Sequence, residues 1–480
     1  MTGLLQVIQE AKVMDLLIKN GTIVTASETY RADIAVDKGK IAAIGSCFEE
    51  GNFDAVEDAQ NKLVLPGAID GHTHLALAFG GTVSSDDYYA GTRSAACGGT
   101  TTVFDFVQQE QGERMLDAVK RRDAMASVDA AVDYSFHIGV GDVSSEEMLD
   151  SMEEAVENGI PSFKVYMVYD FGVDDGSFYK VLEKSKEIGA IVGVHAENRD
   201  VNEYLVKRYL SEGKVSAWWH YMSKNEMVEG EADVRAINLA KMAEAPLYIV
   251  HLADKMGMEA VTAARNEGYP IFAETCPQYL HFTNEVYKRD RGRDFVCSPP
   301  MKNEESREAL WNGIRNGNIT TIATDHCPFK QSEKDWGIVK KDGTPGDFTT
   351  IPNGCAGVEN MYPYVLAQAV ADRISFNKAV ELCAANPAKL FGLDHIKGSL
   401  RPGLDADIVI YDPEKNFTIT NDAMHGDTDH TIWEGVRLKG YPQATYSRGR
   451  LVFRDGKFLG KRGDGKLIRC KKLKFNGPEL

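Results

Sequence analysis

Long apolar runs are missing: no stretch of the 480 residues approaches the ~20 that a bilayer span needs. Positive charge is in deficit too, with 54 Lys and Arg against 71 Asp and Glu. The net charge of −17 repels phosphate backbones and anionic lipid, which excludes nucleic-acid and membrane-surface roles. The stretch Met1 to Met14 mixes Gln6, Gln9, Glu10 and Lys12 into its apolar residues, unlike a cleavable secretory signal. Cysteine is sparse, eight in all, with no C-x-x-C pair and no dense framework. A disulfide scaffold is thereby excluded, and free, mostly buried thiols in a reducing cytoplasm are expected. No G-x-G-x-x-G follows the first barrel-type strand, so an open doubly wound dinucleotide fold lacks its fingerprint.

What is present is an ordinary soluble composition, 43% hydrophobic and 26% charged, in a chain long enough for two or three domains. Short β-rich runs bounded by turns fill residues 14–65: Asp15 to Lys19, the turn Asn20-Gly21, Thr22 to Thr25, Asp33 to Val36, and Gly39 to Ile44. The same character returns at Ala406 to Pro413 and Gly449 to Gly456. The two β-rich ends predict one small β-sandwich built from residues 14–65 and 396–480, with residues 1–13 as an extension outside the fold.

Between them, apolar β-branched runs recur, most separated by helical stretches. They are Leu65 to His74, Gly99 to Phe106, Val132 to His137, Ser162 to Met167, Ala190 to His195, Leu247 to Leu252, Pro270 to Thr275 and Thr320 to His326. Eight strand–helix units over about 260 residues predict a (β/α)8 TIM barrel across residues 66–395.

Chemistry-bearing residues gather at the ends of these runs. His72 and His74 are two apart, so on a strand both face one side. Lys164 lies in the fourth run, His195 ends the fifth, His251 falls in the sixth and Asp325 in the eighth. In a barrel the C-terminal strand ends form the active-site mouth, where such separate segments converge. Imidazoles and a carboxylate suit zinc or a similar divalent ion. Lysine is the odd member, because an ammonium repels a cation. It fits if its neutral amine captures carbon dioxide, since each oxygen of the resulting carbamate can bind one ion. Two ions about 3.5–4 Å apart can share a hydroxide and polarise an amide carbonyl. Asp325 is placed to bind one metal, take the hydroxide proton and return it to a departing nitrogen.

At this point the chain resembles the cyclic amidohydrolases, and within them the dihydropyrimidinase and D-hydantoinase group, which includes bacterial phenylhydantoinases. The resemblance runs from about Leu16 to about Gly463. Its motifs include Gly67 to His74, Ser85-Asp86-Asp87, Phe163 to Met167, His195-Ala196-Glu197-Asn198, Glu274 to Leu280, Ser298-Pro299-Pro300, Asp325 to Phe329 and Pro352-Asn353-Gly354. It implies two zinc ions, one on His72, His74 and Asp325 and the other on His195 and His251, bridged by N6-carboxylated Lys164. It implies that Tyr169 hydrogen-bonds the scissile carbonyl and steadies the oxyanion. Main-chain groups of Ser298 and Asn353 would hold the amide edges of a cyclic ureide substrate. Leu75 to Asp87 and Tyr169 to Phe178 resemble the loops that meet its exocyclic substituent, with Leu75, Phe79 and Phe171 as contacts. A homotetramer is implied as well.

The sequence departs from that pattern in two places. A Tyr-His-x-x-Ser-Arg-Pro-like segment is replaced by Trp219-His220-Tyr221-Met222-Ser223-Lys224-Asn225, and the leucine and arginine expected after Ser-Pro-Pro are Met301 and Lys302. Three other readings compete. Dihydroorotase-like relatives carry an arginine directly after the H-x-H pair, whereas here Leu75-Ala76-Leu77-Ala78 follow and the first arginine after the pair is Arg93. An allantoinase-type activity shares the metal site, but Ser85-Asp86-Asp87 argues against it. A non-catalytic scaffold of the same fold would have lost metal ligands, and all are present here.

Overall fold

The computed structural model describes residues 13–480, so residues 1–12 of the predicted extension lie outside the described residues. Among the described residues, eight parallel strands follow one another in a single sheet. They are Ala68–Thr73, Thr100–Gln108, Asp133–Gly139, Ser162–Tyr166, Ile191–His195, Leu247–Ile249, Ile271–Thr275 and Thr321–Ile322. Each predicted run overlaps one of them, the second and third strands extending two residues further, to Gln108 and Gly139, and helices occupy most of the connections. The first and last strands meet through a parallel bridge, Thr73 to His326, and through the His74 N–H donating to the His326 carbonyl at 2.8 Å. Asp70 completes that seam, accepting from the Thr324 hydroxyl at 2.6 Å and the Thr324 N–H at 3.1 Å. The sheet is a closed (β/α)8 barrel.

Beside it stands the β-sandwich, in two sheets. One orders Lys40–Gly45, Asp33–Asp37, Met14–Lys19 and Phe53–Asp58. The other runs from Lys457–Phe458 through Arg450–Arg454, Arg437–Ser447, Ile408–Thr418, Leu63–Pro66 and Thr22–Val24 to Thr29–Arg31. Strands from both chain ends therefore share a sheet, as Ile408 pairing Pro66 shows. Alternation sets their inward face: Leu16, Ile18, Ile34, Val36, Ile408 and Ile410 pack in one core. Lys38 and Gly39 both take positive φ, 53° and 76°, which suits the two-residue turn joining Asp33–Asp37 to Lys40–Gly45.

Two boundaries differ from the sequence reading. The run Leu65 to His74 is split: Leu65, already placed in the sandwich, and Pro66, placed in the barrel, both belong to the sandwich strand Leu63–Pro66, and the barrel strand begins at Ala68. The tail assigned to the sandwich instead runs beneath the barrel. Lys466 accepts from the Tyr134 N–H at 3.0 Å, and the N–H groups of Cys470 and Leu473 donate to the Gly159 and Gly189 carbonyls at 2.8 Å. Ile468 and Leu473 join Ile69, Phe104, Ile191 and Phe391 in one apolar cluster. The lower end of the barrel needs apolar cover, and the tail supplies it.

All eight cysteines are free thiols; Cys47 is exposed and the others are buried. No helix among the described residues is long and apolar enough to cross a membrane.

Candidate metal centre

Strand geometry brings the chemistry together. His72 and His74 leave the first strand on one side, and their Nε2 atoms lie 3.3 and 3.1 Å from Asp325 Oδ1. These three residues form a cluster able to hold a metal ion. The His195 ring is 4.6 Å from that of His251, and the His251 ring is 5.2 Å from that of His72. Lys164 projects between them. Its register neighbours on both sides are glycines, Gly139 and Gly193, so no side chain competes for the space it enters. Its nitrogen lies 4.9 Å from the Phe106 ring centre and 5.2 Å from that of Tyr166.

These residues line a single cavity of about 270 Å³. Every site residue expected from the sequence is on its wall: His72, His74, Lys164, Tyr169, His195, His251, Ser298, Asp325 and Asn353. Of the loop contacts, Phe79 and Phe171 line it and Leu75 does not. Leu75 is 1% exposed and packs into the barrel core near Gly91, because its backbone N–H is fixed on Asp105 at 2.8 Å. Leu77 and Ala78 take its place. No arginine lines the cavity; Arg93 points away to Asp427 and the His425 carbonyl.

Three of the wall residues hold strained backbone. Tyr169, His251 and Asp325 have φ of 72°, 39° and 52°, a region that costs a side-chain-bearing residue about 1–3 kcal/mol. The surrounding barrel holds them there, and the strain re-aims their side chains at strand ends where the ladder stops.

Burial sets the charges. Lys164 is 1% exposed, and burial lowers its ammonium from the usual range to about 7, against the opposing pull of Glu274 and Asp325. A large neutral fraction at neutral pH is what carbamate formation needs. Burial, then the nearby Lys164, drives His72 and His251 well below the ordinary imidazole value, and burial lowers His195. These rings are neutral, the form that binds metal. Tyr169 is pushed well above the usual phenol range by burial and then by the charge of Glu197, so it keeps its proton.

The donor set fits a divalent ion. His72 Nε2 and His251 Nδ1 are buried ring nitrogens with no hydrogen-bond partner among the described residues. The opposite nitrogen of His72 faces Glu274 Oε1 at 2.7 Å, and His195 Nε2 faces Glu197 Oε2 at 2.7 Å. Carboxylates behind ligating imidazoles fix ring orientation and tautomer. Glu274 also accepts the His251 N–H at 2.9 Å and the Tyr248 hydroxyl at 2.5 Å. The sequence reading assigned no role to Glu197 or Glu274, although both stand inside its quoted motifs. Two residues of spacing from His195 was the available signal for Glu197; Glu274 stands 202 residues from His72. Gln108 at the end of the second strand also lines the cavity and was missed.

The amidohydrolase family model matches residues 63–452, and the model of the urease α-subunit N-terminal domain matches residues 2–70. A D-hydantoinase of Ralstonia pickettii is 40% identical over 465 residues, covering 96% of this chain and all of the relative. A D-phenylhydantoinase of Escherichia coli O7:K1 is 38% identical, covering 95% of this chain and 98% of the relative. The crystal structure of a dihydropyrimidinase from Brevibacillus agri NCHU1002 superposes with a TM-score of 0.92 at 38% identity, over 96% of this chain and all of that one.

Proposed function

The chain belongs to the amidohydrolase family, and we propose that it hydrolyses the cyclic amide bond of 5-monosubstituted hydantoins, dihydropyrimidines or both, yielding N-carbamoyl amino acids. One observation carries this reading: four imidazoles, a carboxylate and a lysine, drawn from the strand ends of one barrel, meet in one cavity with a phenol beside them. The relatives with D-hydantoinase names, matched over nearly their whole length, supply the substrate class.

The family implies a divalent metal centre. We propose that two zinc ions would be held here, one by His72, His74 and Asp325 and the other by His195 and His251, and that Lys164, once carboxylated, would serve as a ligand with them. When bound, such ions acidify water and polarise an amide carbonyl. The remaining work falls to side chains. Asp325, at the cavity wall, takes the proton of the attacking water and returns it to the departing ring nitrogen, general base and then general acid. Tyr169, which keeps its proton, donates to the carbonyl oxygen as negative charge develops there. Main-chain groups of Ser298 and Asn353 hold the ring's amide edges. Phe79 and Phe171 flank Tyr169, with ring centres 5.8 and 5.3 Å away, and give an exocyclic substituent an aromatic wall. The free thiols accord with a cytoplasmic enzyme, and a symmetric homotetramer is proposed from the sequence resemblance alone.

The test is metal content together with a panel of dihydrouracil, hydantoin, 5-phenylhydantoin and allantoin on zinc-loaded protein, read as kcat/KM. Ring opening of the first three above allantoin is expected. Lys164→Ala is expected to lose metal and activity together, with partial rescue by small carboxylic acids. A zinc-loaded protein that opens none of these rings sinks the reading.

A further inference from the structure

The two departures from the resembled family, Lys224 and Lys302, are far apart in sequence yet meet behind the cavity. Both are buried, 6% and 3% exposed. The Lys224 ammonium donates to Glu197 Oε2 at 2.5 Å, the same oxygen that faces His195 Nε2 at 2.7 Å. It also lies 5.4 Å from the centre of the Tyr169 ring, at cation–π distance. Lys302 donates to the main-chain carbonyl of Lys224 at 2.5 Å and pairs with Glu229 Oε2 at 2.9 Å. The other oxygen of Glu229 accepts the Ala253 N–H at 2.8 Å, two residues beyond His251.

These contacts close a path from His195 through Glu197, Lys224, Lys302 and Glu229 to the loop of His251. We propose that Lys224 and Lys302 are positioning residues that brace the His195–His251 half of the metal site and couple it to Tyr169. The inference rests on the metal assignment above. Glu197 is fully buried and serves two donors with one oxygen, so the ammonium decides where that oxygen sits and hence how His195 is turned. Lys302 holds the main chain of Lys224 in place, and Glu229 ties that support to the neighbouring strand's loop. A lysine suits this place because one compact ammonium contacts both the carboxylate and the phenol ring, whereas an arginine spreads its charge over a planar fork. His72, His74 and Asp325 receive no contact from either lysine among the described residues.

The experiment loads wild type, Lys224→Met, Lys224→Met/Glu197→Gln, Lys302→Met and Lys224→Arg with zinc chloride, then dialyses each against a weak chelator. The double variant removes both charges, so it leaves no buried carboxylate unpaired, and circular dichroism confirms that each protein is folded. Wild type is expected to retain about twice the zinc of folded Lys224→Met and of the double variant, whose labile zinc binds about 10–100-fold more weakly. Lys224→Arg is expected to restore retention while kcat recovers less than KM, because the phenol contact changes. Lys302→Met is expected to behave as Lys224→Met does. Folded Lys224→Met and double variants that hold and release zinc as wild type does overturn the brace. A wild type that takes up no zinc overturns the metal assignment and this inference with it.

Discussion

Glu274→Gln isolates the charge behind His72 from its shape. Glu274 is fully buried; Oε1 accepts from His72 Nδ1 at 2.7 Å and from the His251 N–H at 2.9 Å. Oε2 accepts from the Tyr248 hydroxyl at 2.5 Å. A glutamine fits the same space. Its carbonyl oxygen serves both N–H donors, and its amide group donates to the Tyr248 oxygen. Tyr248 then turns its proton to Thr321 Oγ1, already 2.6 Å away. The number of hydrogen bonds is preserved and only the charge is lost. A bond to a charged group contributes about 1.5–3 kcal/mol against about 1 kcal/mol for a neutral one, so the two bonds to this oxygen, from the His72 ring and the His251 main chain, weaken by about 1–4 kcal/mol together. Part of that reaches the metal, as the about 10–100-fold loss of affinity typical when a ligand's supporting carboxylate is removed. Competition with a chelator at pH 9 measures it. Burial pushes the Glu274 carboxyl up to about 8, so at pH 9 the wild-type group is ionised and the comparison is between charge and no charge. A folded Glu274→Gln protein with wild-type zinc affinity at that pH refutes the assignment of Glu274 as the group that orients His72.

Tyr169→Phe is expected to lower kcat by about 10²–10³-fold with metal content unchanged, the usual cost of one oxyanion donor; equal turnover removes Tyr169 from that role. Phe171→Ala deletes the ring stacked 5.3 Å from Tyr169. It is expected to lower kcat/KM for 5-phenylhydantoin about tenfold more than for hydantoin, and a parallel fall for both places the substituent elsewhere. Asp70→Asn probes the barrel seam. Burial raises the Asp70 carboxyl to about 6, partly opposed by hydrogen bonds from Thr324 and the His72 N–H. The folded state therefore holds a proton that the unfolded chain has lost above about pH 4. Wild-type stability is expected to fall, through this group, as pH rises from 4 to 6. Asparagine removes that dependence, so in urea unfolding of chelated protein the variant should gain about 3 kcal/mol on wild type across the window. Parallel pH profiles for the two proteins contradict it.

The alternation of β-branched runs with helical stretches was enough to read eight barrel strands and a sandwich made from both chain ends. That pattern is local, because a strand's period of two and a helix's 3.6 are visible in any short window. His72 and His74 share a face for the same reason, and Lys164, His195, His251 and Asp325 were legible because each stands out chemically near the end of an apolar run. The strands' order and closure brought these residues onto the wall of one cavity. Leu75 was misplaced because its direction depends on Asp105, thirty residues away. The tail beyond Gly463 looked like more sandwich, yet the open floor of the barrel claimed it. What only the tertiary structure decided is the support behind the imidazoles: Glu274 against His72, and Glu197, Lys224 and Lys302 behind His195. Nothing in a linear sequence marks a buried carboxylate as the partner of a histidine 202 residues distant. That pairing is set by which strands lie side by side and by their register. Residue chemistry announces the ligands, and the closure of the barrel selects what holds them.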